Sequence, residues 1–276
     1  MLSVAALQYC ATDDVRETLQ HIRPLIAEAA SKARLVVLPE CASYLAANRE
    51  QLILNAEWDD DSYSQSWLTN IAQEYNIWLL AGSLMIRQRD NKQLVNRSIL
   101  FGPDGGVVAD YDKIHMFDAD IGDGKSYQES ANFASGQSPV IAHIDNVPCG
   151  LTICYDVRFP HLYRQLALDG AQIILVPSAF TATSGKAHWH VLLRARAIET
   201  GCYIVAPAQC GIHADGRKTY GHSMIINPWG EILAEAKDGD AVIHSALSLS
   251  ATFNARKAIP SLKTNPVIGP TRKIYP

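Results

Sequence analysis

Short, wholly apolar runs separated by helix-length stretches constrain this chain most. Residues 35–38 (LVVL) and 173–176 (IILV) contain no polar side chain. A strand formed by either run has to be covered on both faces, as in a parallel sheet flanked by helices. Between residues 13 and 32, Leu19, Ile22, Ile26 and Ala30 recur at spacings of three and four. That spacing gives one apolar helical stripe, with Asp13 and Asp14 suited to the first turn. The same alternation continues along the chain. It predicts strands over 3–9, 35–38, 77–86, 94–101, 107–111, 140–144, 149–153, 173–176, 203–207, 223–227, 232–236 and 241–246. It predicts further helices over 64–75, 158–168 and 188–200. A polar loop over 115–138 has no periodicity of its own, and loops of that length more often serve function than connection. No linker, repeat or low-complexity tract interrupts the pattern, so the expectation is one α/β domain of packed layers over residues 1–276.

Composition removes several function classes. The chain has 276 residues, 48% hydrophobic and 19% charged, which suits a folded protein rather than a disordered one. A net charge of −4 gives no electrostatic reason for nucleic acid or an anionic membrane as a partner. No run approaches the ~18 consecutive apolar residues of a membrane span. The opening MLSVAALQYCATDDV lacks a basic lead and reads as a first strand, not a signal peptide. Six cysteines occur without a C-x-x-C pair, so a reducing, cytoplasmic setting is the expectation.

Three reactive groups each follow the end of a predicted strand. Glu40 follows RLVVLP, Lys113 follows GVVADYD and Cys154 follows GLTI. The carboxyl ends of strands are where sites assemble in layered α/β sheets. A thiol near a helix N-terminus and a lysine is expected to favour the nucleophilic thiolate. Glu40, following an apolar run, is expected to have its pKa raised by desolvation toward that of a general base. Lys113 can offer a fixed ammonium to a developing oxyanion. Ordinary roles stay open for each: a buried cysteine, a strand-end carboxylate, a solvated lysine. Other chemistries lack their residues. The chain has no G-x-S-x-G, and GDGK at 122–125 lacks P-loop spacing. His188 and His190 stand two apart, not at the i, i+4 spacing of helical zinc sites.

The segments LVVLPE, DKIHMFD and GLTICYDVRFP resemble, in order and spacing, the three signature segments of the nitrilase superfamily of carbon–nitrogen hydrolases. The similarity runs from Val4 to about Leu247. It implies a four-layer α-β-β-α sandwich with Glu40 as general base, Lys113 as transition-state stabiliser and Cys154 as nucleophile. A supporting glutamate would be Glu129, in YQESANFASG. The backbone N–H of Tyr155 would share the oxyanion with Lys113. No metal and no organic cofactor is implied. The implied partners are a small-molecule amide and at least one further copy of the chain. Helix 188–200 would be a candidate interface element, and the proline-bearing residues 250–276 would form an arm.

VPSAFTATSGKAHWHVLLRARAIE, CYIVAPAQCG and YGHSMIINPWGEILAE resemble the branch that hydrolyses the terminal amide of deaminated glutathione. An ω-amidase acting on α-ketoglutaramate is the neighbouring alternative, and an acyltransferase or a non-catalytic interaction protein are more distant ones. Both amide substrates carry carboxylates, which call for a cation or N–H donors. Arg158 is the candidate cation, with an ion pair to Asp156 as its ordinary role. Phe180, Thr181 and Tyr44 are candidate pocket residues by position.

Overall fold

A computed structural model describes residues 1–122, 124–264 and 269–274. The first half builds one sheet. Strand β1 (Leu2–Tyr9) leads through helix α1 (Val15–Ala30) to β2 (Leu35–Val37), parallel to β1. Asp14 caps α1 rather than lying in its first turn: its side chain accepts the Glu17 N–H at 2.8 Å. Helix α2 (Arg49–Asn55) and the short β3 (Glu57–Trp58) follow, then α3 (Tyr63–Tyr75) and β4 (Trp78–Arg87), parallel to β2. Antiparallel β5 (Leu94–Phe101) and β6 (Val107–Asp112) complete this run.

The polar loop is not structureless. It holds a hairpin of β7 (Asp118–Asp120) and β8 (Ser126–Gln128), then a 3₁₀ turn over Glu129–Ala131. The second half repeats the strand–helix alternation. β9 (Val140–Ile144) pairs with β10 (Val147–Leu151). A 3₁₀ turn at Cys154–Arg158 precedes α4 (Pro160–Leu168), so the expected helix 158–168 begins later, with proline in its first turn. β11 (Ile173–Leu175) leads to α5 (Ala182–Thr200), which starts six residues before its expected beginning. Its Thr181 cap accepts the Ser184 N–H, and no apolar periodicity marks those first residues. β12 (Tyr203–Ala206), β13 (Ala208–Ile212), β14 (Lys218–Tyr220), β15 (Met224–Ile226), β16 (Ile232–Glu235) and β17 (Ala241–Leu247) follow, then α6 (Leu249–Ala258).

One sheet runs β14-β13-β1-β2-β4-β5-β6, with β17 antiparallel on β1 and β3 beside β4. The other runs β16-β15-β12-β11-β10-β9. Alternate residues of one strand serve different layers. Ala5, Leu7, Val36 and Leu38 pack with Leu19, Ile22 and Ile26 of α1 and with Leu68 and Ile71 of α3. Val4, Ala6, Leu35 and Val37 belong instead to the cluster that holds Leu151, Ile173 and Val205 of the second sheet. That cluster continues to Leu162, Leu166, Trp189 and Leu193 on α4 and α5. The layers are therefore helix, sheet, sheet, helix, as the sequence resemblance implies. Each fully buried leucine or isoleucine contributes about 1.5–3 kcal/mol to this stacking.

The C-terminal segment begins as the helix α6, not as an arm. The Arg256 guanidinium donates to the carbonyls of Thr200 at 3.0 Å and Ala171 at 2.7 Å, binding α6 to the body through polar contacts that no apolar pattern announces. Residues 265–268 and 275–276 of the expected arm lie outside the described residues. No helix among the described residues is long and apolar enough to cross a membrane.

Candidate active site

The two sheets bring three strand ends together. Beyond β2, the chain passes close to β4 at Gly82, where a Cβ would stand 2.0 Å from the Leu38 carbonyl oxygen. Only glycine permits this approach. Gln209 then donates its side-chain amide to the Glu40 carbonyl at 3.0 Å, fixing the turn from the other side. Beyond β6, Lys113 donates its N–H to Asn96 O at 2.9 Å and accepts the Gly136 N–H at 2.8 Å. Beyond β10, Cys154 has a positive φ of 47°. That is a costly conformation for a non-glycine residue, and such strain gathers at functional sites. The surrounding bonds enforce it: Cys154 N–H to Pro177 O at 2.9 Å, and Ile153 N–H to Asp156 Oδ2 at 2.8 Å.

The side chains meet in one buried cluster. Lys113 Nζ lies 2.8 Å from Glu40 Oε1 and 2.8 Å from both Glu129 oxygens. Asn96 Nδ2 bridges the same two carboxylates, at 3.0 Å from Glu40 Oε1 and 3.1 Å from Glu129 Oε1. The Ala179 N–H donates to Glu40 Oε2 at 2.9 Å, and the Phe117 N–H to Glu129 Oε2 at 2.7 Å. The Cys154 thiol stands beside Glu40, close enough for the two to shift each other's ionisation.

Two electrostatic expectations are reversed. Burial pushes the Glu40 carboxyl up, but the Lys113 charge, the hydrogen bonds from Lys113 and Asn96 and the adjacent Cys154 thiol outweigh it and hold Glu40 below its ordinary value. Burial also pushes the Cys154 thiol well above its ordinary value. The Glu40 charge adds to this, against the opposing pull of Lys113 and the Ala179 N–H. The resting pair is thus a neutral thiol beside an ionised carboxylate, not a thiolate. Lys113 loses to burial but gains more from the Glu129 and Glu40 carboxylates, so it stays an ammonium. A thiol, a carboxylate able to accept its proton and an ammonium form a set suited to attack on a carbonyl carbon.

The cluster forms one wall of a cavity of about 300 Å³. Tyr44, Tyr155, Arg158, Phe180 and Thr181 all line it. The ordinary role considered for Arg158 is not the one observed. Asp156 is instead occupied by Ile153, Tyr111 and His115. Arg158 lies over the rings of Phe180 at 5.1 Å and Tyr155 at 5.9 Å and contacts His188 Nδ1 at 3.2 Å. It makes no ion pair among the described residues. Sequence reasoning missed Asn96, Asp215 and Arg217, which also line the cavity. Nothing in the strand pattern of β5 distinguishes Asn96. The Asp215–Arg217 pair sits in the tight turn between β13 and β14, strands that the apolar pattern did not reveal.

Comparison with known proteins agrees with this geometry. The family model described as carbon–nitrogen hydrolase matches residues 3–257. A Synechocystis protein named deaminated glutathione amidase is 40% identical over 263 residues, covering 94% of this chain and 96% of that one. A Yersinia enterocolitica protein of the same name is 38% identical over 266 residues, covering 95% and 92%. The crystal structure of Saccharomyces cerevisiae Nit3, described as a member of branch 10 of the nitrilase superfamily, superposes with a TM-score of 0.85 at 28% identity, covering 94% of each chain. The matched span contains all three strand-end residues and both sheets, and the chain belongs to the carbon–nitrogen hydrolase family, enzymes acting on carbon–nitrogen bonds other than peptide bonds.

Proposed function

We propose that the protein is a cysteine-dependent amidase that releases ammonia from the terminal amide of deaminated glutathione. The observation that carries this is the Cys154 thiol, presented on a strained turn beside an ionised Glu40 that is paired with Lys113. As Sγ attacks the amide carbon, Glu40 takes the thiol proton. The tetrahedral oxyanion lies between Lys113 Nζ and the backbone N–H of Tyr155. Tyr155 is in the first turn of the 3₁₀ segment Cys154–Arg158, where N–H groups have no intrahelical acceptor. Glu40 then gives the proton to the departing nitrogen, and ammonia leaves a thioester on Cys154. Water, deprotonated by Glu40, hydrolyses the thioester and restores the thiol. Glu129 acts by holding Lys113 charged and in place. No step needs a metal or an organic cofactor.

The substrate reading rests on the relatives' name and on the cavity. Its volume lies at the lower edge of the range typical of small-molecule sites. Arg158, with no carboxylate partner among the described residues, offers its guanidinium to a substrate carboxylate. Phe180 and Tyr155 back that guanidinium, and Tyr44 and Thr181 close the wall. The test is ammonia release by wild type and Cys154→Ala across deaminated glutathione, α-ketoglutaramate, a ureido acid and a nitrile. Highest kcat/KM on deaminated glutathione, abolished in Cys154→Ala, supports the reading. A preference for α-ketoglutaramate would reassign it to ω-amidase, and no ammonia from any amide would end it.

We also propose that the chain works as a homodimer or larger homo-oligomer. On α5, Trp189, Leu193 and Ala197 are buried, whereas Val191 and Ile198 are 68% and 52% exposed. Trp229 and Ile259 add exposed apolar surface, which is costly on a monomer. Sedimentation at micromolar concentration tests this, and Ile198→Glu should shift the protein toward monomer. Six free cysteines, four of them buried, fit a reducing compartment such as the cytoplasm.

A further inference from the structure

Outside the catalytic cavity, three side chains from three elements converge. His190 comes from α5, His222 from the turn before β15, and Glu235 from the end of β16. His190 Nε2 lies 2.9 Å and His222 Nδ1 2.8 Å from the same oxygen, Glu235 Oε1. All three donor atoms fall within 4.8 Å of one another. We infer that His190, His222 and Glu235 form a binding site for one divalent first-row transition-metal ion of the zinc or cobalt class, separate from the amide-hydrolysing centre.

Donor chemistry sets the class of ion. Two imidazoles and one carboxylate suit zinc, cobalt, nickel or copper, and are too few and too nitrogen-rich for calcium or magnesium. A tetrahedral ion with bonds of about 2.0–2.1 Å keeps its ligands roughly 3.4 Å apart, so the two contacts to Glu235 need to open by about half an ångström, and the two ring nitrogens, within 4.8 Å of one another, need to close by at most about 1.4 Å. The Glu235 carboxylate is on a flexible, part-exposed side chain that can yield this. The side chains of His190, His222 and Glu235 are 33%, 29% and 32% exposed, which leaves an entry path and room for a water as fourth ligand.

The support around the ligands is built in. The indole N–H of the buried Trp189 donates to His222 O at 2.8 Å and holds a backbone with a positive φ of 54°. The His222 ring stacks on Tyr220 at 4.3 Å, which fixes its plane. Glu235 stands opposite Met224 in the β15–β16 pairing. The two histidines are its only ion-pair partners among the described residues. A metal here would tie α5 to the second sheet directly behind Phe180, whose ring meets Trp189 at 4.9 Å and which lines the catalytic cavity. Tightening of that wall is the expected consequence.

Cobalt titration of chelator-stripped protein, followed by visible absorption, tests the site. One equivalent should bind at micromolar concentration and give ligand-field bands without a thiolate charge-transfer band. His190→Asn, His222→Asn and Glu235→Gln should each weaken binding at least tenfold while circular dichroism stays native, and Cys154→Ser should bind as wild type does. No saturation by about 1 mM cobalt, wild-type binding in all three variants, or a thiolate band in the wild type would each overturn the site and leave a hydrogen-bonded hub in its place.

Discussion

The Tyr111 hydroxyl donates to Asp156 Oδ2 at 2.7 Å, joining the strand that delivers Lys113 to the turn that delivers Cys154. Both residues are buried, and each stands two positions from a member of the reactive cluster. Burial, together with the Asp156 charge and the hydrogen bond to it, pushes the Tyr111 phenol far above its ordinary value, so it stays a donor at every working pH. Tyr111→Phe should cost about 1.5–3 kcal/mol, the range for a hydrogen bond to a charged group. The denaturation midpoint in urea should fall with an unchanged m-value. An unchanged midpoint would mean that Ile153 and His115 satisfy Asp156 without Tyr111.

Asn96 supplies the next prediction. Its amide lowers the pKa of Glu40 by donating to it. The proposed base acts only when ionised, so activity should be lost as pH falls through the Glu40 pKa, and the wild-type acid limb should lie at low pH. Asn96→Ala removes one donor and should move that limb upward. Stability should suffer less than activity, because the substitution also removes Asn96 Oδ1, which is buried without a partner among the described residues. The pH profiles of kcat/KM for the two proteins decide the matter. Superimposable acid limbs would remove Asn96 from the account.

Glu129 touches Lys113 with both oxygens and accepts the Phe117 N–H, so its proposed task is to position the lysine rather than to exchange a proton. Glu129→Gln keeps the shape but removes the charge. It should lower kcat by roughly 10²-fold with little change in KM, whereas Glu40→Gln should approach the full loss of a general base, about 10²–10⁴-fold. Equal defects would mean that both carboxylates move protons.

The strand-end residues were legible because an apolar run advertises a buried strand, and the residue after it is placed by topology alone. Glu40, Lys113 and Cys154 could be found that way, and so could Phe180, just beyond β11. Asn96 could not. It lies within β5, where an inward polar residue looks like any other alternation, and its meaning comes only from the two carboxylates it bridges. The ionisation states of Glu40 and Cys154 are hidden from the sequence for a related reason. Burial alone raises both, but the balance depends on which partners sit within hydrogen-bond reach, and chain order does not encode that. The opening of α5 rests on its Thr181 cap and α6 on the Arg256 contacts with little apolar packing, so neither shows as an apolar stripe in the sequence.

Arg158 gives a prediction about substrate choice. Its guanidinium lines the cavity against two aromatic rings, with no carboxylate partner among the described residues. Arg158→Ala should raise KM for a carboxylated amide by roughly 10–100-fold, the loss of one charge-assisted contact. It should leave kcat, and KM for an uncharged amide, nearly unchanged. A parallel loss on both substrates would mean that Arg158 shapes the cavity instead of recognising the carboxylate.

His213 links stability to pH at the end of β13. It is buried between the Ala11 carbonyl, 3.0 Å from Nδ1, and Thr219 Oγ1, 2.8 Å from Nε2. That pairing suits a neutral ring donating from Nδ1 and accepting at Nε2. Burial, with the Arg217 charge adding to it, lowers its pKa, against the Ala11 bond and Asp215. The unfolded chain therefore takes up a proton that the folded chain resists. The stability due to neutral His213 is fully present above the ordinary histidine value of about 6.5 and is lost as pH falls from there through the lowered folded value. His213→Gln keeps a donor and an acceptor but cannot titrate. Its stability should decline less than wild type between about pH 7.5 and about pH 5, measured as urea midpoints at both. Equal declines would show that the acid sensitivity arises from carboxylates elsewhere and not from this ring.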